Sequence, residues 1–118
     1  MNTFIDWNYL HQVAQGDEAF ALELLALFVE DNQPYVDRAK QAVNEQDFAR
    51  VAQTAHKIKG SSANIGAATI QSLAEDLEQQ ALNEQSEEIM SLLSQLEDFM
   101  RSIQSFLGVE GIPVSSSD

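Results

Sequence analysis

Histidine and cysteine are the side chains best suited to nucleophilic or proton-transfer work near neutral pH, and this chain has two histidines and no cysteine. His56 is the one whose neighbours suit chemistry. Lys59 follows it by three residues, a spacing that puts both on one helix face and an ammonium beside anything attached to the ring. Gly60, one turn on, removes a Cβ that would crowd the imidazole, although glycine inside a helix costs about 1 kcal/mol relative to alanine. Ala49, Ala52 and Ala63 complete the same shoulder at helical spacing. A histidine ringed by the smallest side chains protrudes from a flat surface, where a partner's pocket can reach it. Spacing alone equally describes a solvated histidine and a glycine kept for close helix packing. His11 has no comparable neighbourhood and is assigned to the surface.

Other chemistries fit less well. Ser61 and Ser62 stand beside His56 in sequence, but neighbours on one helix do not form a hydrolytic triad, and no nucleophile elbow is present. A di-metal carboxylate bundle needs Glu three residues before a His, whereas Gln53 and Asn8 occupy those places. Without cysteine, disulfide scaffolds and zinc fingers are excluded. No carboxylates cluster around His56 in sequence, so no metal site is assigned to the chain.

The elements that must position His56 are helical throughout. Asp6 is placed to cap a short helix carrying Trp7 and Leu10 and ending at Gly16, and Asp17 to cap a second with Phe20, Leu24, Leu27 and Phe28 on one face. Pro34 is expected to interrupt that helix, so Asp31 or Asn32 opens another holding Tyr35, Ala39, Ala42 and Val43. Asp47 caps the helix of His56, whose inward set is Phe48, Val51, Ala55, Ile58 and Ser62, and which stops near Gly66. The inward direction lies about 120° from His56 on a wheel of 100° per residue, which sets the ring on a shoulder of the bundle. The spacing predicts a further helix from Ala68 to Ala81 that buries Ile70, Leu73, Leu77 and Ala81.

Ser86 is expected to cap the last helix, with Glu87 and Glu88 favourably placed against its N-terminal dipole. Ile89, Leu92, Leu93, Leu96, Phe99, Met100, Ile103, Phe106 and Leu107 then recur at steps of three and four, the stripe of a bundle core. Short connections make successive helices antiparallel. The fold class is therefore all-α, an antiparallel up-and-down four-helix bundle with additional short N-terminal helix or helices. Residues 1–107 form that bundle, and residues 108–118, which lose the periodicity, are expected to be a flexible tail.

The 118 residues suffice for one domain burying roughly 65% of its unfolded surface. No apolar run approaches the roughly 18 residues of a membrane span, and a secretion signal is lacking, so a cytoplasmic monomer is expected. The start at Met1 and the aperiodic tail favour a free protein over a domain of a larger kinase. Nineteen acidic residues against six basic give a net charge of −13, which disfavours nucleic acid and anionic membrane as partners. Arg38, Lys40, Arg50, Lys57 and Lys59 are offset locally only by Glu45 and Asp47. The stretch 38–59 is consequently +3 and the remainder −16, which describes either chance clustering on solvated helix faces or a local basic site suited to a phosphoryl group or an acidic partner.

At these residues a resemblance emerges. Ala55-His56-Lys57-Ile58-Lys59-Gly60-Ser61-Ser62, followed by Gly66-Ala67, closely resembles the signature of histidine-containing phosphotransfer (Hpt) domains, Ala-His-x-(Leu or Ile)-Lys-Gly-Ser-Ser with Gly-Ala a few residues later. The similarity extends in helix order and spacing from about Asp6 to Phe106. It implies that His56 exchanges a phosphoryl group with an aspartate on a response-regulator receiver domain, in a relay fed by a histidine kinase or hybrid kinase. It further implies that Lys59 neutralises the phosphoryl group, that Gly60 gives access, and that Ser61 and Ser62 support the site or end the turn. Ala52, Lys57, Gly60, Ser61 and Ala63 would form the receiver's docking surface.

Many members of the family also place an amide or carboxylate 22 positions after the histidine, hydrogen-bonded to the ring, and here that residue is Glu78. A wheel puts it about 100° from its helix's inward direction, on a flank able to meet the His56 helix. With Glu78 holding the Nδ1 proton, Nε2 would be the nucleophile. Loose phosphoryl transfer calls for a divalent cation. The chain itself would then need no cofactor, with Mg2+ and the aspartate supplied by the partner, and would be a carrier and not an enzyme. The competing reading is a phosphorylation-independent adaptor that only docks a receiver or kinase.

Overall fold

The computed structural model describes residues 5–109. Five helices follow in order: α1 Trp7–Val13, α2 Glu18–Asn44, α3 Phe48–Ile65, α4 Ala68–Leu82 and α5 Ser86–Val109, with no strand among the described residues. Each of α2 to α5 packs on its neighbour in sequence, and α5 returns to α2 to close a four-helix ring, with α1 lying against α2 and α3. Among the described residues no helix is long and apolar enough to cross a membrane. The expected stripe of α5 is the spine of the core. Ile89, Leu93, Leu96, Met100, Ile103 and Leu107 are buried, and Leu92, Phe99 and Phe106 pack half-buried at its edges.

The three aspartate caps form as the sequence implies. Carboxylates of Asp6, Asp17 and Asp47 accept from the backbone N–H of Tyr9, Phe20 and Arg50 at 3.1, 3.1 and 3.2 Å, satisfying donors that a helix start leaves free. Ser86 does not act this way. It is the first helical residue of α5, and the Ile89 N–H bonds to the Gln85 carbonyl at 2.9 Å, which moves the cap one residue back.

Four helix ends close by one device. Residues 15, 46, 66 and 84 take left-handed backbone angles, and the N–H of the following residue reaches back five positions (Gly16 to His11, Asp47 to Ala42, Ala67 to Ser62, Gln85 to Gln80). This is the Schellman arrangement. Only one of the four left-handed positions, Gly66, is a glycine; Gln15, Gln46 and Glu84 occupy the others.

Pro34 does not divide α2, which is a single 27-residue helix with the proline inside it. A mid-helix proline removes one hydrogen bond and costs about 3 kcal/mol. Ten buried side chains spread along both sides of it, from Ala21 to Val43, offset that cost. The continuous helix also sets the inward face. Ala21, Leu22, Leu25, Phe28 and Val29 point inward in register with Val36, Ala39 and Val43, whereas Phe20 and Leu27, expected on the core face, are 41% and 46% exposed. On α4, Leu73 is only half-buried, and Ala74 takes the inward place. α5 runs through Gly108 to Val109, past the expected start of the tail; residues 110–118 of that tail, and residues 1–4, lie outside the described residues.

Candidate functional site

α3 is the helix on which the candidate residues meet. Val51, Thr54, Ala55, Ile58, Ser62 and Ile65 turn inward and leave a solvent-facing ridge opposite. Two of the buried groups are polar, and both are satisfied within the helix. The Thr54 hydroxyl bonds to the Arg50 and Val51 carbonyls, and the Ser62 hydroxyl donates to the Ile58 carbonyl at 2.6 Å. Ser62 is thus a core residue whose carbonyl helps end the helix by accepting the Ala67 N–H. Ser61 is half-buried beside it.

His56 lies in the middle of α3 with its side chain 70% exposed. Its Nδ1 is 3.6 Å from Oε2 of Glu78 on α4, and Nε2 lies on the opposite edge of the ring. Lys59 donates from Nζ to the other oxygen of the same carboxylate, Oε1, at 3.1 Å. Glu78 and Lys59 are 27% and 30% exposed, so this pair is partly withdrawn from water while the imidazole stands clear. The first contact is longer than a hydrogen bond and the second is within range. Spacing anticipates that Glu78 reaches the α3 flank; it does not anticipate that Lys59 engages it.

Gly60 sits on the exposed ridge, and a Cβ built on it would meet no heavy atom within 4 Å. Packing within the chain therefore does not account for glycine at this position. Ala63 and Lys57 are exposed on the same side, and Ala52 is half-buried. Ala52, Gln53, His56, Lys57 and Glu78 line a shallow hollow of about 450 Å³ at the ring. Gln53 was not singled out from the sequence, although its place three residues before His56 puts it on the same face.

Charge is distributed unevenly over the bundle. α3 carries Arg50, Lys57 and Lys59 and no acid, for +3, while α2, α4 and α5 are each −3. Arg50 pairs with Glu45 and its own cap Asp47, and Lys59 with Glu78; Lys57 makes no ion pair among the described residues. His11, away from this ridge, pairs with Glu18 at 3.0 Å and lies against the Trp7 ring. The arrangement offers an accessible ring nitrogen on a locally positive ridge, with a carboxylate at the other nitrogen and a cation one turn away. That is the equipment for taking up and releasing a small anionic group.

Among curated proteins no sequence matches this chain. Its fold is similar to the crystal structure of histidine-containing phosphotransfer protein B (HptB) from Pseudomonas aeruginosa PAO1, with TM-score 0.81 and 24% identity over 93% of this chain and 96% of that one. It is also similar to the Hpt domain of a sensor hybrid histidine kinase from Shewanella, with TM-score 0.70 and 24% identity over 89% and 94% of the two chains. At that identity the likeness concerns the fold. The family profile of the Hpt domain matches residues 23–106, which takes in most of α2 and all of α3 and α4. The chain therefore belongs to the Hpt domain family, the phosphocarriers that work with histidine kinases and response regulators, and its role is histidine phosphotransfer in a phosphorelay.

Proposed function

We propose that His56 is the phosphoacceptor and that Nε2 is the atom that takes the phosphoryl group. The supporting observation is the exposed imidazole with its Nδ1 edge at Glu78. A neutral ring has one nitrogen with a free lone pair and one carrying the proton. A carboxylate on the Nδ1 side favours the tautomer protonated there, which leaves the Nε2 lone pair free. In transfer from a receiver, that lone pair forms the N–P bond as the P–O bond to the aspartyl oxygen breaks, and the aspartate leaves with the bonding electrons. The Nδ1 proton stays on the ring, and the reverse step restores the neutral imidazole.

The receiver docks over Ala52, Lys57, Gly60, Ser61 and Ala63, where small side chains let it approach. The positive ridge of α3 favours encounter with an acidic acceptor pocket. The divalent cation that offsets charge on the transferring oxygens comes with the receiver, because Glu78, the carboxylate at the ring, is engaged by Lys59. A net charge of −13 keeps copies of the chain apart, so the carrier acts as a monomer.

The test is transfer from receiver domains charged with acetyl phosphate and Mg2+, scored as acid-labile label on the chain. The wild-type chain becomes labelled and the His56→Gln variant does not. Label surviving in that variant removes His56 as the acceptor.

A further inference from the structure

We propose that Glu78 exchanges partners when the carrier is charged, holding Lys59 in the uncharged state and the His56 Nδ1 proton in the phosphorylated one. This rests on the reading of His56 as the acceptor. Lys59 is then stored on Glu78 and released to the phosphoryl group.

The geometry of the uncharged state is one half of the case. One carboxylate faces two candidates, and its two oxygens are divided between them: Oε1 accepts from the Lys59 ammonium at 3.1 Å, while Oε2 stands 3.6 Å from Nδ1. An ammonium is a full charge and a neutral imidazole is not, so the charge-assisted bond to Lys59 prevails. A shift of a few tenths of an ångström would bring Nδ1 within hydrogen-bond range. α3 and α4 are packed together along this seam, so the three side chains can rearrange without moving the helices.

The chemistry of charging is the other half. The N–P bond forms from the Nε2 lone pair as the aspartyl P–O bond breaks and the aspartate departs. With the proton retained on Nδ1, the ring becomes cationic and carries an anionic phosphoryl group on its far edge. Both preferences then reverse. The phosphoryl oxygens offer Lys59, three residues along the same helix face, more negative charge than one carboxylate does. Glu78, relieved of the ammonium, faces a positively charged N–H. Holding that proton keeps imidazole a good leaving group, so the same exchange readies the carrier for onward transfer.

The experiment is ¹⁵N NMR of the full chain, before and after charging by a receiver domain loaded with acetyl phosphate and Mg2+, in wild type and Glu78→Ala. Before charging, the substitution should shift the Lys59 ammonium resonance more than the His56 ring nitrogens. After charging, the order should invert: Nδ1 responds and Lys59 does not. An equal Lys59 response in the two states, with label present on His56, overturns the exchange and leaves the acceptor assignment standing. A charged chain with no label on His56 overturns both.

Discussion

Lys59 donates to one oxygen of Glu78, and that carboxylate is the same one that stands at His56. A cation held there should matter more to transfer than to folding. Partly exposed ion pairs contribute about 0–1 kcal/mol, so Lys59→Ala should leave urea denaturation nearly unchanged. A hydrogen bond to a charged group contributes about 1.5–3 kcal/mol, which converts to a roughly ten- to hundredfold slower transfer. Stopped-flow transfer from a charged receiver checks this; an unchanged rate removes the proposed role of the lysine.

Substitution of Gly60 should move stability and transfer in opposite directions. Because a Cβ there meets nothing within 4 Å, Gly60→Ala should gain helix propensity and stabilise the bundle by about 0.5–1 kcal/mol. The added methyl group would stand one turn from the imidazole, on the side a receiver must approach, so transfer should slow in the more stable protein. Paired denaturation and transfer measurements decide it. A destabilised variant, or one that transfers at the wild-type rate, contradicts the access argument.

Gly66, six residues along, predicts the reverse sign for the same substitution. Its φ is +76°, and a Cβ would come 2.9 Å from Tyr9 Cδ2 and 3.1 Å from the Asp6 carbonyl. The Gly66 carbonyl also accepts the Asp6 N–H at 2.8 Å, tying the start of α1 to the α3–α4 turn. The left-handed backbone alone costs an L-residue about 1–2 kcal/mol. Gly66→Ala should therefore lower stability by at least that amount in urea and loosen α1. Retention of wild-type stability would mean that α1 moves aside at no cost.

The difference between these two glycines explains how far the sequence could be read. The motif around His56, the inward stripe of α5 and the flank position of Glu78 are periodic features, and periodicity survives folding because each helix keeps its own geometry. Relations between helices carry no such signal. A wheel places Glu78 toward α3 but does not choose between Lys59 and His56. The left-handed ends at Gln46 and Glu84 have no glycine to announce them, whereas Gly16 stands beside the one at Gln15. The outward turn of Phe20 and Leu27 follows from the continuity of α2, which is decided by packing against α3 and α5.

Pro34 tests that continuity. It sits exposed inside α2, one turn after Glu30, whose carbonyl has no N–H to accept from at position 34. Two residues earlier, Asn32 is buried, and its Nδ2 donates to the Phe28 carbonyl at 2.8 Å while its Oδ1 has no partner among the described residues. If packing alone carries the helix through this segment, Pro34→Ala should restore the missing bond without disturbing the inward face. Stability should rise by about 1–3 kcal/mol, with transfer from a charged receiver unchanged because His56 lies on another helix. Thermal and urea denaturation measure the gain. A loss of stability would show instead that the proline sets a bend on which the packing of α2 against α3 and α5 depends.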